Sequence, residues 1–373
     1  MSKAIKVLHV FAGLDIGGAE TMVMNFFRTI DSSAVQFGFV KHTEESCFYE
    51  TEIKERGGVI YHCPKYNGKN HFEYRRWWEN FLKQHQEYHV LHSHVRSTAS
   101  IYIPIAKRNG IKTIIHSHST SNGDGVSAII KAALQYPLRY QADYYLACSM
   151  EAGEWLFGKR ICKSNKFQVI KNAIDIKKFL YNKQVRNDTR KELGIDNEFV
   201  VGFLARVSTP KNPLFVLDVF EEILKLESGV KLLFVGDGEL LPIIKKKAIE
   251  KKVSSDIIFT GLRVDTERMY QAMDCYLLPS LWEGLGISLI EAQASGLKCI
   301  CSENIPREAI LSEKVKVINL NAGCKIWAKN IVKINENYER RDMYDAIAKA
   351  GYDIFEASES LINLYQSVQQ FKY

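Results

Sequence analysis

Two glutamates in "LPSLWEGLGISLIEAQASGL" (278–297) could hold one extended, hydroxyl-rich ligand. Glu283 follows a predicted strand, and Glu291 lies on the next helix, roughly 7 Å from the start of that helix. A carboxylate accepts two hydroxyl hydrogen bonds, which suits a ribose or hexose diol. Between them, Gly284, Leu285 and Gly286 offer backbone N–H groups with little side-chain obstruction. In the alternative interpretation, Glu283 only complements the helix dipole and Glu291 is an exposed helix residue.

Two cations in "VVGFLARVSTPKNPLFVLDVF" (200–220) suit a diphosphate. The predicted strand delivers Arg206 to a loop, and Lys211 lies just before a helix that Asn212 could cap. Cations beside a helix N-terminus form a site for phosphate oxygens. The alternative is ordinary surface charge, which is less favoured because both cations flank a strand-to-helix junction.

Glycine-rich turns follow two other predicted strands. Gly17 and Gly18 in "VFAGLDIGGAETMVMNFF" open the first helix, and Gly236 and Gly238 in "FVGDGELL" form a strand-to-helix turn. The first turn does not fit G-x-G-x-x-G and lacks the G-K-[ST] of a P-loop. Alone, it is weak evidence for a phosphate or sugar contact.

Two H-x-H pairs end apolar runs, His92 and His94 in "HVLHSHV" and His116 and His118 in "TIIHSHS". Residues i and i+2 share one face of a strand, so each pair can point the same way. Four imidazoles could bind zinc, but no acidic partner lies nearby in the sequence. We therefore predict no metal site, and expect cleft-lining or hydrogen-bonded histidines at strand ends.

The elements that must position these residues alternate in βαβα order, which is typical of a parallel sheet covered on both faces. The first series of predicted strands is 5–11, 35–40, 59–61, 90–92, 113–116, 144–147 and 167–170. A polar, basic stretch (172–194) precedes the second series, 200–204, 231–235, 257–260, 275–278, 299–301 and 315–318. In doubly wound sheets, ligands bind outside the carboxyl ends of the strands.

We predict two doubly wound, Rossmann-like α/β domains that face a cleft. The N-terminal domain spans residues 1–178 and the C-terminal domain spans residues 179–352, with a final helix at 353–373. A chain of 373 residues is also too long for one typical core.

Composition narrows the class of protein. Eight scattered cysteines without a C-x-x-C pair indicate a reduced, cytoplasmic protein. We find neither a signal peptide nor a run of about 18 apolar residues. The net charge of +7 suits polyanionic partners. The basic stretch from Lys159 to Lys191 is either a solvated face or part of such a contact.

The spacing of apolar residues in "NHFEYRRWWENFLKQH" (70–85) predicts a helix with an aromatic stripe on one face. The stripe consists of Tyr74, Trp77, Trp78, Phe81 and Leu82. Core packing against the first sheet is the favoured interpretation. The alternative is a helix on a membrane surface, since basic residues flank the stripe.

Together these motifs resemble glycosyltransferase family 4, the retaining enzymes with a GT-B fold. The resemblance runs from "GGAE" (17–20) to Glu291 and is closest to the branch in capsular and exopolysaccharide synthesis. There, "KN", "VGDG", "LPS…EG" and "EAQASGL" recur in this order. One departure is Ala205, where family members often place a glycine just before the arginine.

The resemblance implies a role for each motif. Arg206 and Lys211 hold the donor diphosphate and Glu291 the ribose, while Glu283 and the N–H groups of residues 284–286 contact the donor sugar. His116 touches the same sugar, with His118 as a second candidate. The residues implied to act in catalysis are therefore Glu283, His116, Arg206 and Lys211.

Further donor contacts are implied in three turns. Gly17 and Gly18 approach phosphate and acceptor, Gly236 lines the donor site, and the backbone at Leu262 and Arg263 binds the base. "VIKNAID" (169–175) resembles the crossover between the domains. The resemblance also implies that the final helix (353–373) packs back on the first domain.

The implied activity is retaining transfer of a hexose or N-acetylhexosamine from a nucleoside-diphosphate sugar to a lipid-linked glycan at the inner membrane face. We expect a UDP-sugar donor, with guanosine diphosphate as the alternative, no cofactor, no nucleic acid partner, and contact with an anionic membrane surface. Alternatives are a sugar-nucleotide epimerase, a non-catalytic partner subunit, a metal-dependent hydrolase built on the histidines, and a glycosidase using the two glutamates.

Overall fold

The computed structural model describes residues 4–119, 126–335 and 339–370. The chain divides into two compact units. The first ends at Ile174 and resumes at Asp353, and the second spans Asp175–Tyr352. The predicted boundary, between residues 178 and 179, lies a few residues further along the chain.

The first unit contains one parallel sheet. Its strands are β1 (Ile5–Phe11), β2 (Val35–Lys41), β3 (Val59–His62), β4 (Val90–Ser93), β5 (Lys112–Ser117), β6 (Tyr144–Ala147) and β7 (Phe167–Val169). Their order is β3-β2-β1-β4-β5-β6-β7, so the winding reverses between β1 and β4. At such a switch point the carboxyl ends of the strands leave room for a ligand.

Helices cover both faces of this sheet. They are α1 (Gly18–Thr29), α2 (Glu50–Glu55), α3 (His71–Gln84), α4 (Ala99–Arg108), α5 (Val126–Gln135), α6 (Leu138–Gln141), α7 (Met150–Phe157) and α8 (Lys159–Cys162). On one face, Trp78 of α3 is fully buried and stacks on Tyr102 of α4 with ring centroids 4.4 Å apart. Tyr74 and Leu82 are also fully buried. The core interpretation of the aromatic stripe is confirmed, and its membrane-surface alternative is wrong.

The second unit repeats the architecture with strands β8 (Phe199–Leu204), β9 (Val230–Val235), β10 (Ile257–Gly261), β11 (Cys275–Leu278), β12 (Lys298–Ser302) and β13 (Val315–Ile318). Their order, β10-β9-β8-β11-β12-β13, places the switch point between β8 and β11. Its helices are α9 (Ile176–Phe179), α10 (Lys183–Glu192), α11 (Pro213–Leu226), α12 (Leu241–Glu250), α13 (Thr266–Ala272), α14 (Ile287–Ala294), α15 (Cys324–Val332) and α16 (Tyr344–Lys349). The predicted fold class, two doubly wound parallel-sheet domains, is confirmed.

Part of the basic stretch points inward. Arg186 and Arg190 of α10 lie 2.6 Å and 3.3 Å from the carboxylate of Asp274. Arg190 also donates to the backbone carbonyl of Ala272 at 3.0 Å. The solvated-face interpretation is therefore wrong for these two arginines, which tie α10 to the start of β11.

The last helix, α17 (Ile354–Gln370), belongs to the first unit. Tyr365 is fully buried in the core that α17 shares with α1. The N–H of Ile354 donates to the carbonyl of Ile174 at 3.1 Å. Among the residues that the structure describes, we find no helix long and apolar enough to cross a membrane. All eight cysteines lie in the described ranges and are free thiols.

Candidate active site

The loop after β8 carries the two predicted diphosphate ligands. The exposed guanidinium of Arg206 lies 3.9 Å from the carboxylate of Glu239. Lys211 ends a short 3₁₀ turn, and Asn212 then adopts a left-handed conformation with φ of 53°. Asn212 starts α11 without a side-chain capping bond, so the predicted cap is wrong. Pro213 has a fixed φ that suits the first helical position, which supports the helix start without that cap.

An ion pair joins Lys211 to Glu283, 72 positions further along the chain, with 2.5 Å between Nζ and Oε2. The Glu283 side chain is only 5% exposed. Its other oxygen accepts a hydrogen bond from the Ser280 hydroxyl at 2.8 Å, and Ser302 donates to the Ser280 carbonyl at 2.6 Å. Glu283 is thus fixed through both oxygens, and it holds the ammonium group of Lys211 beside it.

Glu291 lies on α14, which begins after Gly286. Gly286 has φ of 86°, a left-handed conformation that glycine adopts without steric cost. The hydroxyl of Tyr270 donates to the Glu291 carboxylate at 2.9 Å. Burial raises the pKa of Glu291 to about 7, although the Tyr270 hydrogen bond opposes that shift. The exposed-helix interpretation of Glu291 is therefore wrong.

Tyr276 on β11 lies close to both carboxylates. Its ring is fully buried, and its hydroxyl donates to the carbonyl of Leu204 at 3.0 Å. Burial raises the pKa of Tyr276 well above its ordinary value, and the charges of Glu283 and Glu291 add to the rise. Tyr276 therefore ties β11 to the end of β8.

Sequence reasoning missed the residues that hold the glutamates in place. Ser280 had a local signal, because it lies three positions before Glu283 in the same motif. Tyr270 had none, since it belongs to α13 and reaches Glu291 only through the fold.

Gly236 allows two loops to meet. Its φ is 135°, and a Cβ at this position would lie 2.0 Å from the carbonyl oxygen of Ala205. Its N–H donates to the carbonyl of Gly261 at 2.9 Å. Glycine is thus required for backbone contact between the loops after β8, β9 and β10, and its predicted contact with the donor stays a prediction.

Ion pairs of Arg263 stabilise the turn after β10. Arg263 contacts Asp265 with two hydrogen bonds of 2.8 Å and 2.6 Å, and lies 3.3 Å from Glu192. Leu262 is half exposed. The Arg263 side chain therefore stabilises the turn, and base binding by the backbone of these residues stays a prediction.

The glycine-rich turn of the first unit lies at the carboxyl end of β1. Gly17 precedes α1, and a Cβ on it would lie 2.4 Å from the carboxylate of Glu20. Burial raises the pKa of Glu20 to about 7. Space is open around Gly18, where a Cβ would meet no atom within 4 Å. The predicted phosphate and acceptor contacts of both glycines stay predictions.

His116 lies near the end of β5 and is 1% exposed. Its Nδ1 is 3.3 Å from Nε2 of His92. Among the described residues, its Nε2 has no hydrogen-bond partner. The predicted sugar contact stays a prediction. The structure adds His9 of β1 to the histidines, because it lies in register with His92. The H-x-H spacing did not predict it, since His9 has no second histidine two positions away.

Family models match both units. The model described as "Glycosyltransferase Family 4" matches residues 16–178, and "Glycosyl transferases group 1" matches residues 185–351. The chain is 30% identical over 368 residues to EpsF of Bacillus subtilis (strain 168), which is named as a glycosyltransferase, covering 96% of each chain. It is 26% identical to an Escherichia coli UDP-Gal:alpha-D-GlcNAc-diphosphoundecaprenol alpha-1,3-galactosyltransferase over 59% of each chain.

Solved structures share the fold. HepE of Anabaena in complex with UDP-glucose superposes with a TM-score of 0.78 and 16% sequence identity, covering 97% of this chain and 100% of that chain.

Proposed function

This chain belongs to glycosyltransferase family 4, and we propose that it moves a hexose or N-acetylhexosamine from a UDP-sugar to a lipid-linked glycan in surface polysaccharide synthesis. The observation that carries the proposal is the Lys211–Glu283 ion pair, together with the half-buried Glu291 of the same motif. These residues follow β8 and β11, the two strands that flank the switch point of the second unit.

Donor binding uses the groups at this edge. Glu291 accepts hydrogen bonds from the ribose diol, for which its ionised form is suited. Arg206 and Lys211 bind the diphosphate, and Glu283 with the N–H groups of residues 284–286 contacts the sugar. The complex of HepE with UDP-glucose supports a donor of this class on the same fold.

In the proposed reaction, the bond between the anomeric carbon and the diphosphate oxygen breaks, and the acceptor hydroxyl bonds to the same face of that carbon. The acceptor proton passes to the leaving diphosphate, so the configuration is retained. Arg206 and Lys211 stabilise the negative charge that develops on the leaving group, in the position where other transferases use a metal ion. We therefore propose that departure of UDP needs no metal.

The acceptor is proposed to be a glycan on a lipid diphosphate, as the name of the Escherichia coli relative states for that enzyme. A basic, apolar surface on the first unit suits the required membrane contact. This α5–α6 surface exposes Ile129, Ile130, Tyr136 and Tyr140 by 56–71%. Arg139 lies over the ring of Tyr136 at 5.2 Å. Apolar side chains beside basic groups bind anionic membrane surfaces.

A transfer assay with UDP-glucose, UDP-galactose and UDP-N-acetylglucosamine tests the proposal. We expect UDP release that depends on a lipid-linked acceptor, an α-linked product from an α-linked donor, and little change in EDTA. Epimerised donor without acceptor would favour the epimerase alternative. Donor binding without turnover on any acceptor would favour the non-catalytic subunit.

Sedimentation with vesicles tests the membrane contact. We expect binding to vesicles rich in phosphatidylglycerol, and loss of binding when Ile129 and Ile130 are both changed to serine. Ile249→Ser, at an exposed position of α12 in the second unit, is the matched control. Equal binding by the double variant and the control would contradict a role for the α5–α6 surface.

A further inference from the structure

Five histidines converge on one face of the first sheet, at the carboxyl ends of β1, β4 and β5. His9 is in register with His92, and His92 is in register with Ile114, two positions before His116. Residues two apart share a face, so His94 and His118 continue the same rows. Ring centroids of neighbouring histidines lie 4.1–5.6 Å apart.

Hydrogen bonds among these rings do not satisfy all their nitrogens. Nδ1 of His9 is 3.0 Å from Nε2 of His94, and Nδ1 of His94 is 2.8 Å from Nε2 of His118. A neutral imidazole has one donor and one acceptor. The rings of His9, His94 and His118 thus form one hydrogen-bonded series. Whichever direction the donors point along this series, one end keeps a buried N–H and the other keeps a buried lone pair. Among the described residues, Nε2 of His9 and Nδ1 of His118 indeed have no partner.

A second hydrogen-bonded series, formed by Tyr365, His92 and His116, also leaves one ring nitrogen without a partner among the described residues. The Tyr365 hydroxyl is 2.8 Å from Nδ1 of His92, whose Nε2 is 3.3 Å from Nδ1 of His116. Nε2 of His116 is buried without a partner among the described residues. When His116 donates to His92 and His92 donates to Tyr365, this nitrogen presents a lone pair. Unpaired buried nitrogens are costly, and a bound cation removes that cost for a nitrogen that presents a lone pair.

Three of these histidines each bring one ring nitrogen to a common place. The three nitrogens, from His94, His116 and His118, all lie within 4.8 Å of one another. Ligands of a tetrahedral zinc ion at about 2.0–2.1 Å are separated by roughly 3.3 Å, so small ring movements suffice. We propose that these three histidines bind a late first-row divalent metal, for which zinc is the probe. Imidazole is a preferred ligand of such metals.

The remaining members of the cluster suit a supporting role. A metal-bound histidine typically donates its other ring N–H to a fixed partner. His116 can donate through Nδ1 to His92, which is held in turn by Tyr365, and His94 can donate through Nε2 to His9. His9 and His92 therefore orient two of the three ligands.

The three proposed ligands differ in exposure. His94 and His118 are partly exposed, whereas His9, His92 and His116 are buried. A metal can therefore enter at the sheet edge and keep a fourth position for water or an anionic oxygen, as three-histidine sites do. The metal lies in the first unit, whereas the residues proposed to stabilise the departing UDP, Arg206 and Lys211, lie in the second. It gives His116 a role different from the sugar contact that the family resemblance implies.

Metal content tests the site independently of transfer. The full chain, expressed without a histidine tag, is stripped with chelator, dialysed against zinc or cobalt, and analysed by elemental mass spectrometry and visible absorption. We expect about one ion per chain and the intense absorption of four-coordinate cobalt. His118→Ala and His116→Gln should each lose the bound ion and its thermal stabilisation. His62→Ala, at an exposed position outside the cluster, should retain both.

A graded variant separates ligation from loss of folding. Tyr365→Phe keeps the buried ring but removes the hydroxyl that holds His92, and should weaken metal affinity about 10–100-fold. Wild-type protein without stoichiometric metal would overturn the proposal, as would equal metal content in His118→Ala. A His116→Gln variant that folds, keeps its metal and loses transfer would instead assign His116 to the sugar. Failure of transfer with metal bound would count against the proposed function alone.

Discussion

The two units have the same strand order around their switch points but very different chemistry there. Between β1 and β4 the edge is lined with imidazoles, whereas between β8 and β11 it carries Arg206, Lys211, Glu283 and Glu291. Burial lowers the pKa of His9 to about 3 and raises the pKa of Glu291 to about 7. The same scaffold thus supports a neutral site and a charged site, because side chains rather than strand order determine function.

The largest effect is expected at the charged edge. Lys211→Ala should lower kcat on the order of 10²-fold, because it removes a donor to the leaving diphosphate. Lys246→Ala, at an exposed position of α12, is the matched control and should keep normal turnover. Steady-state UDP release with acceptor present measures both. Near-normal kcat in the Lys211 variant would contradict its role.

Alanine substitutions compare how well the glycine turns of the two units tolerate a side chain. Gly236→Ala should destabilise the fold by at least about 2 kcal/mol, since the new methyl group meets the Ala205 carbonyl and φ is strained. Gly18→Ala should change the unfolding free energy little, because the space is open. Denaturant unfolding of both variants decides this. Equal midpoints would show that the two turns tolerate a side chain alike.

Glu291 should make donor binding depend on pH. Its carboxylate accepts the ribose hydroxyls, so UDP affinity should rise as pH increases through about 7. Glu291→Gln should weaken UDP binding about 10-fold at pH 8 and flatten the profile. Calorimetric titration between pH 6 and 8 provides the comparison. A wild-type profile unchanged by the substitution would exclude Glu291 as the titrating group.

The smallest effect concerns acid stability of the first unit. Burial lowers the pKa of His42 to about 4, so the unfolded chain binds more protons below its ordinary pKa of 6.5. As the pH falls from 6.5 to 4, protonation of His42 in the unfolded chain should lower the free energy of unfolding by up to about 1.4 kcal/mol per pH unit. His42→Gln should reduce that slope. Chemical unfolding at pH 7 and 5.5 measures the difference.

Much of the fold could be predicted because the pattern is local. Every predicted strand is present with ends that differ by at most one residue, since short apolar runs flanked by polar turns determine each of them. Asn212 shows the limit of that approach. The residue type suggested a cap, but the chain adopts a left-handed turn there and Pro213 starts the helix.

The site was predictable where motifs are contiguous. The E-x7-E spacing led to Glu283 and Glu291, yet the ion pair with Lys211 joins distant segments and depends on the sheet order. The hydrogen bond from Tyr270 has the same origin. His9 was missed because a single histidine in a strand carries no signal until its neighbour in the sheet is known.

The central assignment is that the nucleotide binds at the charged edge of the second unit. Hydrogen exchange measured by mass spectrometry, with and without UDP, tests it most directly. We predict slower amide exchange in the segments 205–212, 236–239, 261–264 and 283–291, and no comparable change around β1, β4 and β5. Protection confined to the histidine edge of the first unit would contradict the assignment.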